Sequence, residues 1–141
     1  MDLALGVRLR LGVSSCLLGE AVRYDGGHKH DHWVADRFGP MVEWTAVCPE
    51  AEAGLGVPRP KIQLETQGDA LAIREVQART DHTARLQTWA DGRLAEIDLD
   101  ALDGYVFKAR SPSCGVEGVE VFAGDRVVDR AGGFFAERLR Q

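Results

Sequence analysis

Strand, helix and strand at the front of the chain, with helix and strand again towards the back, predict an α/β domain built on an at least partly parallel central sheet. Three observations carry this. The segment "VRLRLGVSS" alternates apolar and basic residues and then turns continuously apolar, as a strand does on entering a buried sheet. Between Thr80 and Ile97 the residues Leu86, Trp89, Ala90, Leu94 and Ile97 recur at helical spacing. Two short runs of alternating residues each break at a Gly-Asp pair, which marks hairpins.

In chain order, "VRLRLGVSS" is the first strand, and it stops at Ser14-Ser15-Cys16. The loop "GEAVRYDGG" leads to a short helix expected over His28 to Phe38, with Trp33, Val34 and Phe38 near one face and Gly39-Pro40 closing it. "MVEWTAVCPE" supplies the second strand, ended by Pro49. The stretch "AGLGVPRPK", with Gly54, Gly56, Pro58 and Pro60, resists any regular structure and reads as a draped loop. "KIQLET" and "ALAIREV" form a hairpin about Gly68-Asp69. The helix of 80–97 follows, with Thr80 or Asp81 available to cap it. "LDGYVFKA" is the next strand, "VEVFAGDRVVD" a second hairpin about Gly124-Asp125, and "FFAERLR" a terminal turn or two of helix.

At 141 residues with 45% hydrophobic content, the chain suits one compact domain, residues 1–141, around a single sizeable core. Seventeen Lys and Arg against 22 Asp and Glu leave a formal charge of −5, which disfavours a broad surface tracking the DNA backbone. A small molecule is the expected partner. No apolar run approaches the roughly 20 residues of a membrane span, and arginines within the opening strand argue against a signal peptide, so the expected location is the cytoplasm. Neither "GLG" nor "DGG" completes a G-x-G-x-x-G fingerprint, so no dinucleotide cofactor is expected. Oligomeric state is not encoded in any feature of this kind.

Three cysteines cannot complete a set of disulfides, and in a reducing compartment thiols serve as core filler, nucleophiles or metal ligands. Cys16 ends "GVSSC", Cys48 ends "TAVC", and Cys114 follows the strand "YVFKA" by the short loop "RSPSC". All three therefore fall beyond strand C-termini, the edge of an open α/β sheet at which ligands bind. If the thiols meet there, soft sulfur donors select zinc or an iron–sulfur cluster over magnesium or calcium. A three-ligand set leaves a position open for substrate, unless a histidine of "GGHKHDH", His28, His30 or His32, closes it. A solvated surface is the simpler reading of those histidines.

The blocks "GVSSCLLGEAVRYDGGHK", "CPEAEAGLGVPRPKIQL" and "GYVFKARSPSCG" resemble, in the same order, the signature blocks of the thiouracil desulfidase family in its short, single-domain form. The resemblance implies a small Rossmann-like α/β domain whose central sheet forms a single layer. It implies an oxygen-sensitive 4Fe-4S cluster held by Cys16, Cys48 and Cys114, with the fourth iron free of protein ligands. The implied reaction is removal of sulfur from thiolated uracil. Glu50 of "CPE" and Ser111 of "SPSC" match positions with catalytic roles.

On these terms the reaction is hydrolytic, giving uracil and hydrosulfide, with Glu50 as the base for water and Ser111 as a donor to the substrate or relay to the leaving group. Ser111 also suits the start of a Ser-Pro turn. Ser113, Lys108 and Arg23 are further candidates for substrate contact, and Lys108, Arg110, Arg23 and Arg59 for balancing the negative charge of three thiolates. Two other readings stay open. One is a mononuclear zinc hydrolase on the same three cysteines; the other is a non-catalytic persulfide carrier or binding module serving a tRNA-modifying partner.

Overall fold

The computed structural model describes residues 9–140, so Val7 and Arg8 of the first expected strand lie outside the described residues. Strand β1, Leu9–Ser14, is the centre of a three-stranded parallel sheet, flanked by β2, Val42–Val47, and by β5, Gly104–Val106. Its last four residues are all buried, the physical counterpart of the change from alternating to continuous apolarity. Three parallel strands in this order send all their C-termini to one edge. Helix α1, Pro49–Glu52, follows β2 directly.

Both hairpins form where the Gly-Asp pairs place them: β3, Ile62–Gln67, with β4, Ala70–Glu75, and β6, Val119–Ala123, with β7, Arg126–Ala131. They do not extend the parallel sheet. β3 and β6 pair in parallel through Leu64↔Val121 and Glu65↔Phe122, making a second, four-stranded sheet in the order β4-β3-β6-β7. The α/β class with a partly parallel sheet holds, with the strands divided between two sheets.

Helix α2, Thr83–Glu96, begins later than Thr80 because the preceding residues continue hairpin pairing. The Glu75 N–H donates to Thr80 O (2.9 Å) and the His82 N–H to Ile73 O (2.8 Å). His82 occupies the capping position, and the Asp81 carboxylate accepts the Thr83 N–H at 2.8 Å. Leu86 from α2 packs against Ile62, Leu64, Ile73, Val119 and Val121 of the second sheet. Its Ala90 joins Val47, Ile97 and Phe135, the last from helix α3, Phe134–Arg140. Among the described residues no helix is long and apolar enough to cross a membrane.

The helix expected over His28 to Phe38 is largely replaced. Residues 28–31 are irregular, a π-helical segment spans Trp33–Phe38, and Gly39 and Pro40 start a further 3₁₀ turn, Gly39–Met41, where a closure was expected. The cause is a competing set of acceptors. The N–H of Lys29 donates to Cys16 O (3.0 Å) and that of Asp31 to Leu17 O (2.8 Å), so these residues are held against the chain following β1. The Asp31 carboxylate then takes the Val34 N–H at 3.0 Å and starts the helical turn there.

Spacing within the parallel sheet depends on Gly12, which faces Tyr105 across the β1–β5 pair. A methyl group at Gly12 collides with the Tyr105 ring. Gly12→Ala is therefore expected to destabilise the fold by roughly 1–3 kcal/mol through overpacking, read as a lower denaturant midpoint at unchanged m value.

Candidate functional site

Each cysteine reaches the C-terminal edge of the parallel sheet by a different local device. Cys16 lies in a single 3₁₀ turn, Ser15–Leu18, directly after β1, so it is not in a plain loop. Cys48 sits between β2 and α1, and its N–H donates to Glu52 Oε2 (2.9 Å), while Glu52 Oε1 accepts from Arg93 of α2 (3.0 Å). Its thiol points to the Val22 carbonyl at 3.7 Å, under the loop "GEAVRYDGG".

Cys114 belongs to the turn "SPSCG". Ser111 Oγ accepts the N–H groups of Ser113 (3.1 Å) and Cys114 (3.0 Å), and the Gly115 N–H donates to Ser111 O (2.9 Å). The N-terminal N–H groups of α3 complete the anchoring: Phe134 donates to Pro112 O (3.0 Å), and Phe135 and Ala136 to Ser113 O (3.0 and 3.1 Å). This close approach requires Gly133, where a Cβ would lie 2.6 Å from the Ser113 carbonyl. The punctuation around Cys114 is thus a backbone lock.

Cys16, Cys48 and Cys114 are all free thiols and line one cavity of about 1210 Å³. Cys114 is 4% and Cys16 8% exposed, while Cys48 is half-buried. Among the described residues, the set of three His, Cys, Asp or Glu donor atoms lying within 4.8 Å of one another is His30, His32 and Asp36, so at least one pair of the three sulfurs stands farther apart than that. One tetrahedral zinc ion, with Zn–S bonds of about 2.3 Å, would bring thiolates to about 3.8 Å from one another. A polynuclear cluster, whose thiolates bind separate irons, suits the wider spacing.

Burial pushes all three thiols above the ordinary cysteine range. Cys114 is pushed up to about 12, although a Ser14 hydrogen bond favours its thiolate. For Cys16 the opposing influences are Lys108 and Arg23; for Cys48, the Ala51 N–H and then Arg59. Neutral thiols are inert nucleophiles. A metal centre binds them as thiolates and displaces their protons, so the donor set and its buried setting fit a soft metal.

Glu50, Ser111 and Ser113 line the same cavity, as do Arg23, Lys108, Arg59 and Arg110. Glu50 is buried, with both carboxylate oxygens engaged: Arg59 Nε donates to Oε1 (3.1 Å) and Ser113 Oγ to Oε2 (2.9 Å). Arg59 is itself fixed, since Nη1 donates to Gly56 O (2.9 Å) and its N–H to Tyr24 O (2.7 Å). The loop "AGLGVPRPK" is draped, as its glycines and prolines indicate, and the drape carries Arg59 back to Glu50. The sequence reading missed that pairing, together with the bond from the Lys108 N–H to Ser14 Oγ at 2.8 Å, which ties the β5 exit to the β1 exit. Short range offers one signal for the first: an acid and an arginine bracketing a Gly/Pro-rich loop.

A parallel sheet presenting two buried thiols and a half-buried one, a clamped carboxylate and a cation-rich lining defines an α/β protein with a thiol-lined cavity at its sheet edge. The profile of the 2-thiouracil desulfurase family matches residues 11–141, and the chain belongs to that family. It is also similar to the solved structure of a [4Fe-4S]-dependent thiouracil desulfidase, TudS, with 31% identity over 94% of this chain and 85% of that one, at a TM-score of 0.68. No curated protein sequence matches the chain.

Proposed function

We propose that this protein is a desulfidase that hydrolyses the C–S bond of thiolated uracil, giving uracil and hydrosulfide, and that Cys16, Cys48 and Cys114 hold a 4Fe-4S cluster for the purpose. The observation that carries this reading is the convergence of three free thiols, two buried and one half-buried, and the Glu50 carboxylate on one cavity at the sheet edge. When bound through three cysteines, such a cluster supplies an iron with no protein ligand, a soft Lewis acid for a thiocarbonyl sulfur.

The chain's own groups account for the proton transfers. Ser113 Oγ donates its only proton to Glu50, so its lone pairs are free to accept from a water in the cavity. A proton taken from that water passes through Ser113 to Glu50, while the oxygen attacks the ring carbon. Ser111 is complementary: its oxygen accepts two amides, which leaves its O–H to donate to the substrate or the departing sulfur. Arg59 holds Glu50 in place, and Lys108 and Arg23 beside Cys16 offset the negative charge of the thiolates. Free thiols and an oxygen-sensitive centre fit a cytoplasmic setting.

The rival readings have less support. A sulfur pair beyond 4.8 Å is wider than the roughly 3.8 Å of thiolates sharing one zinc, and a persulfide carrier calls for a thiol of lowered pKa, whereas all three are raised. Anaerobic reconstitution followed by a panel of thiolated bases and nucleosides tests the proposal. The expected product is a brown protein containing iron and acid-labile sulfide, which releases hydrosulfide and forms uracil. A colourless protein with stoichiometric zinc, or a brown one that releases no sulfide from any of the panel, overturns it.

A further inference from the structure

Among the described residues, the three His, Cys, Asp or Glu donor atoms that lie within 4.8 Å of one another are outside the cavity. His30 Nε2 is 3.2 Å and His32 Nδ1 2.7 Å from Asp36 Oδ2, and all three atoms fall within 4.8 Å of one another. The two imidazole rings lie edge to face, with centroids 4.7 Å apart, so their nitrogens converge on the carboxylate. The backbone beneath is fixed by the bonds from Lys29 and Asp31 to the Cys16 turn and by the Asp31 cap on Val34. Asp36 lies four residues beyond His32, within the π-helical segment that this cap begins.

We propose that His30, His32 and Asp36 form a solvent-facing site for a divalent transition-metal ion of the zinc class, separate from the three thiols. Bonds of about 2.0–2.1 Å to nitrogen and oxygen place neighbouring ligand atoms of a tetrahedral ion about 3.3 Å apart. The His30–Asp36 distance already has that span. His32 must retreat by about 0.6 Å to reach it, and its side chain, 86% exposed, has room to do so. Two imidazoles and one carboxylate suit zinc, nickel or cobalt, whereas calcium and magnesium require mostly oxygen donors. Water completes the coordination on the open side.

The test is a calorimetric titration of the cluster-loaded protein with Zn²⁺ under anaerobic conditions, with the cluster's visible absorbance followed in parallel. One zinc per chain is expected to bind without bleaching. His32→Ala and Asp36→Ala, both at exposed positions, are each expected to weaken that binding about tenfold or more, with cluster absorbance unchanged. His28→Ala is expected to leave it intact. The proposal is overturned by the absence of saturable binding. It is equally overturned by zinc uptake that persists in both variants and bleaches the cluster in step, since the ion is then at the thiols.

Discussion

Cys114→Ala is expected to emerge from anaerobic reconstitution colourless, with iron and acid-labile sulfide at background, and to release no sulfide from thiouracil. The same result is expected for Cys16→Ala and Cys48→Ala. Each thiol comes from a different strand exit, and no other cysteine can substitute for a lost one. Loss of the sulfur alone should cost the apo fold only about 1 kcal/mol, because Ser111 Oγ and the α3 amides bind the backbone of the turn and do not touch the thiol. Circular dichroism and a denaturant midpoint near those of the cluster-free wild type would therefore accompany complete loss of cofactor. This pattern separates ligation from folding. If two of the three variants kept a full cluster, or if one alone abolished activity while the others were silent, the three-thiol centre would be wrong and a single-cysteine carrier would take its place.

Glu50→Gln is expected to give the opposite pattern, a fully loaded brown protein whose turnover falls by about 10²- to 10⁴-fold, the usual contribution of a positioned acid–base group. The amide keeps the volume of the side chain, its oxygen can still accept from Arg59 and its NH2 can donate to Ser113 Oγ with that bond reversed, but it cannot take the proton of water. Glutamine is the better probe than alanine. Both remove the charge opposite the buried Arg59 guanidinium, but Glu50→Ala also removes its hydrogen-bond acceptor and leaves a void, and would confound lost stability with lost chemistry. The measurement is sulfide release normalised to bound iron. Undiminished turnover in Glu50→Gln would remove Glu50 as the base, even with the cluster assignment intact.

Much of the scaffold was legible because its signals are local. The continuous burial at the end of β1, the two Gly-Asp turns and the spacing of Leu86, Trp89, Ala90, Leu94 and Ile97 each depend on neighbours a few residues away. The placement of the cysteines beyond strand ends followed from those strands. What was not legible depends on partners distant in the chain. The helix expected over 28–38 rested on Trp33, Val34 and Phe38 sharing a face, but carbonyls of the Cys16 turn take the N–H groups of Lys29 and Asp31, and tertiary hydrogen bonds outweigh a weak propensity. The pairing of β3 with β6, which separates the second sheet from the first, joins segments with no common local pattern. Within the site, the residue types around Cys114 were readable. The partition of labour between Ser111, whose oxygen is turned to amides, and Ser113, whose hydroxyl is turned to Glu50, was not, since it depends on side-chain direction in a turn anchored by α3.

The three cysteines lie beyond three separate strand exits, the last of them in a turn that helix α3 holds in place. The three cysteines therefore do not share one cavity until α3 has docked against the turn of Cys114, so a cluster held as proposed would enter after that docking. Held as proposed, the cluster would join the exits of β1, β2 and β5 at one point and favour the native state by mass action. Oxidative loss of the cluster should then remove both catalysis and a clasp, leaving a chain that is easier to unfold and a better substrate for proteases.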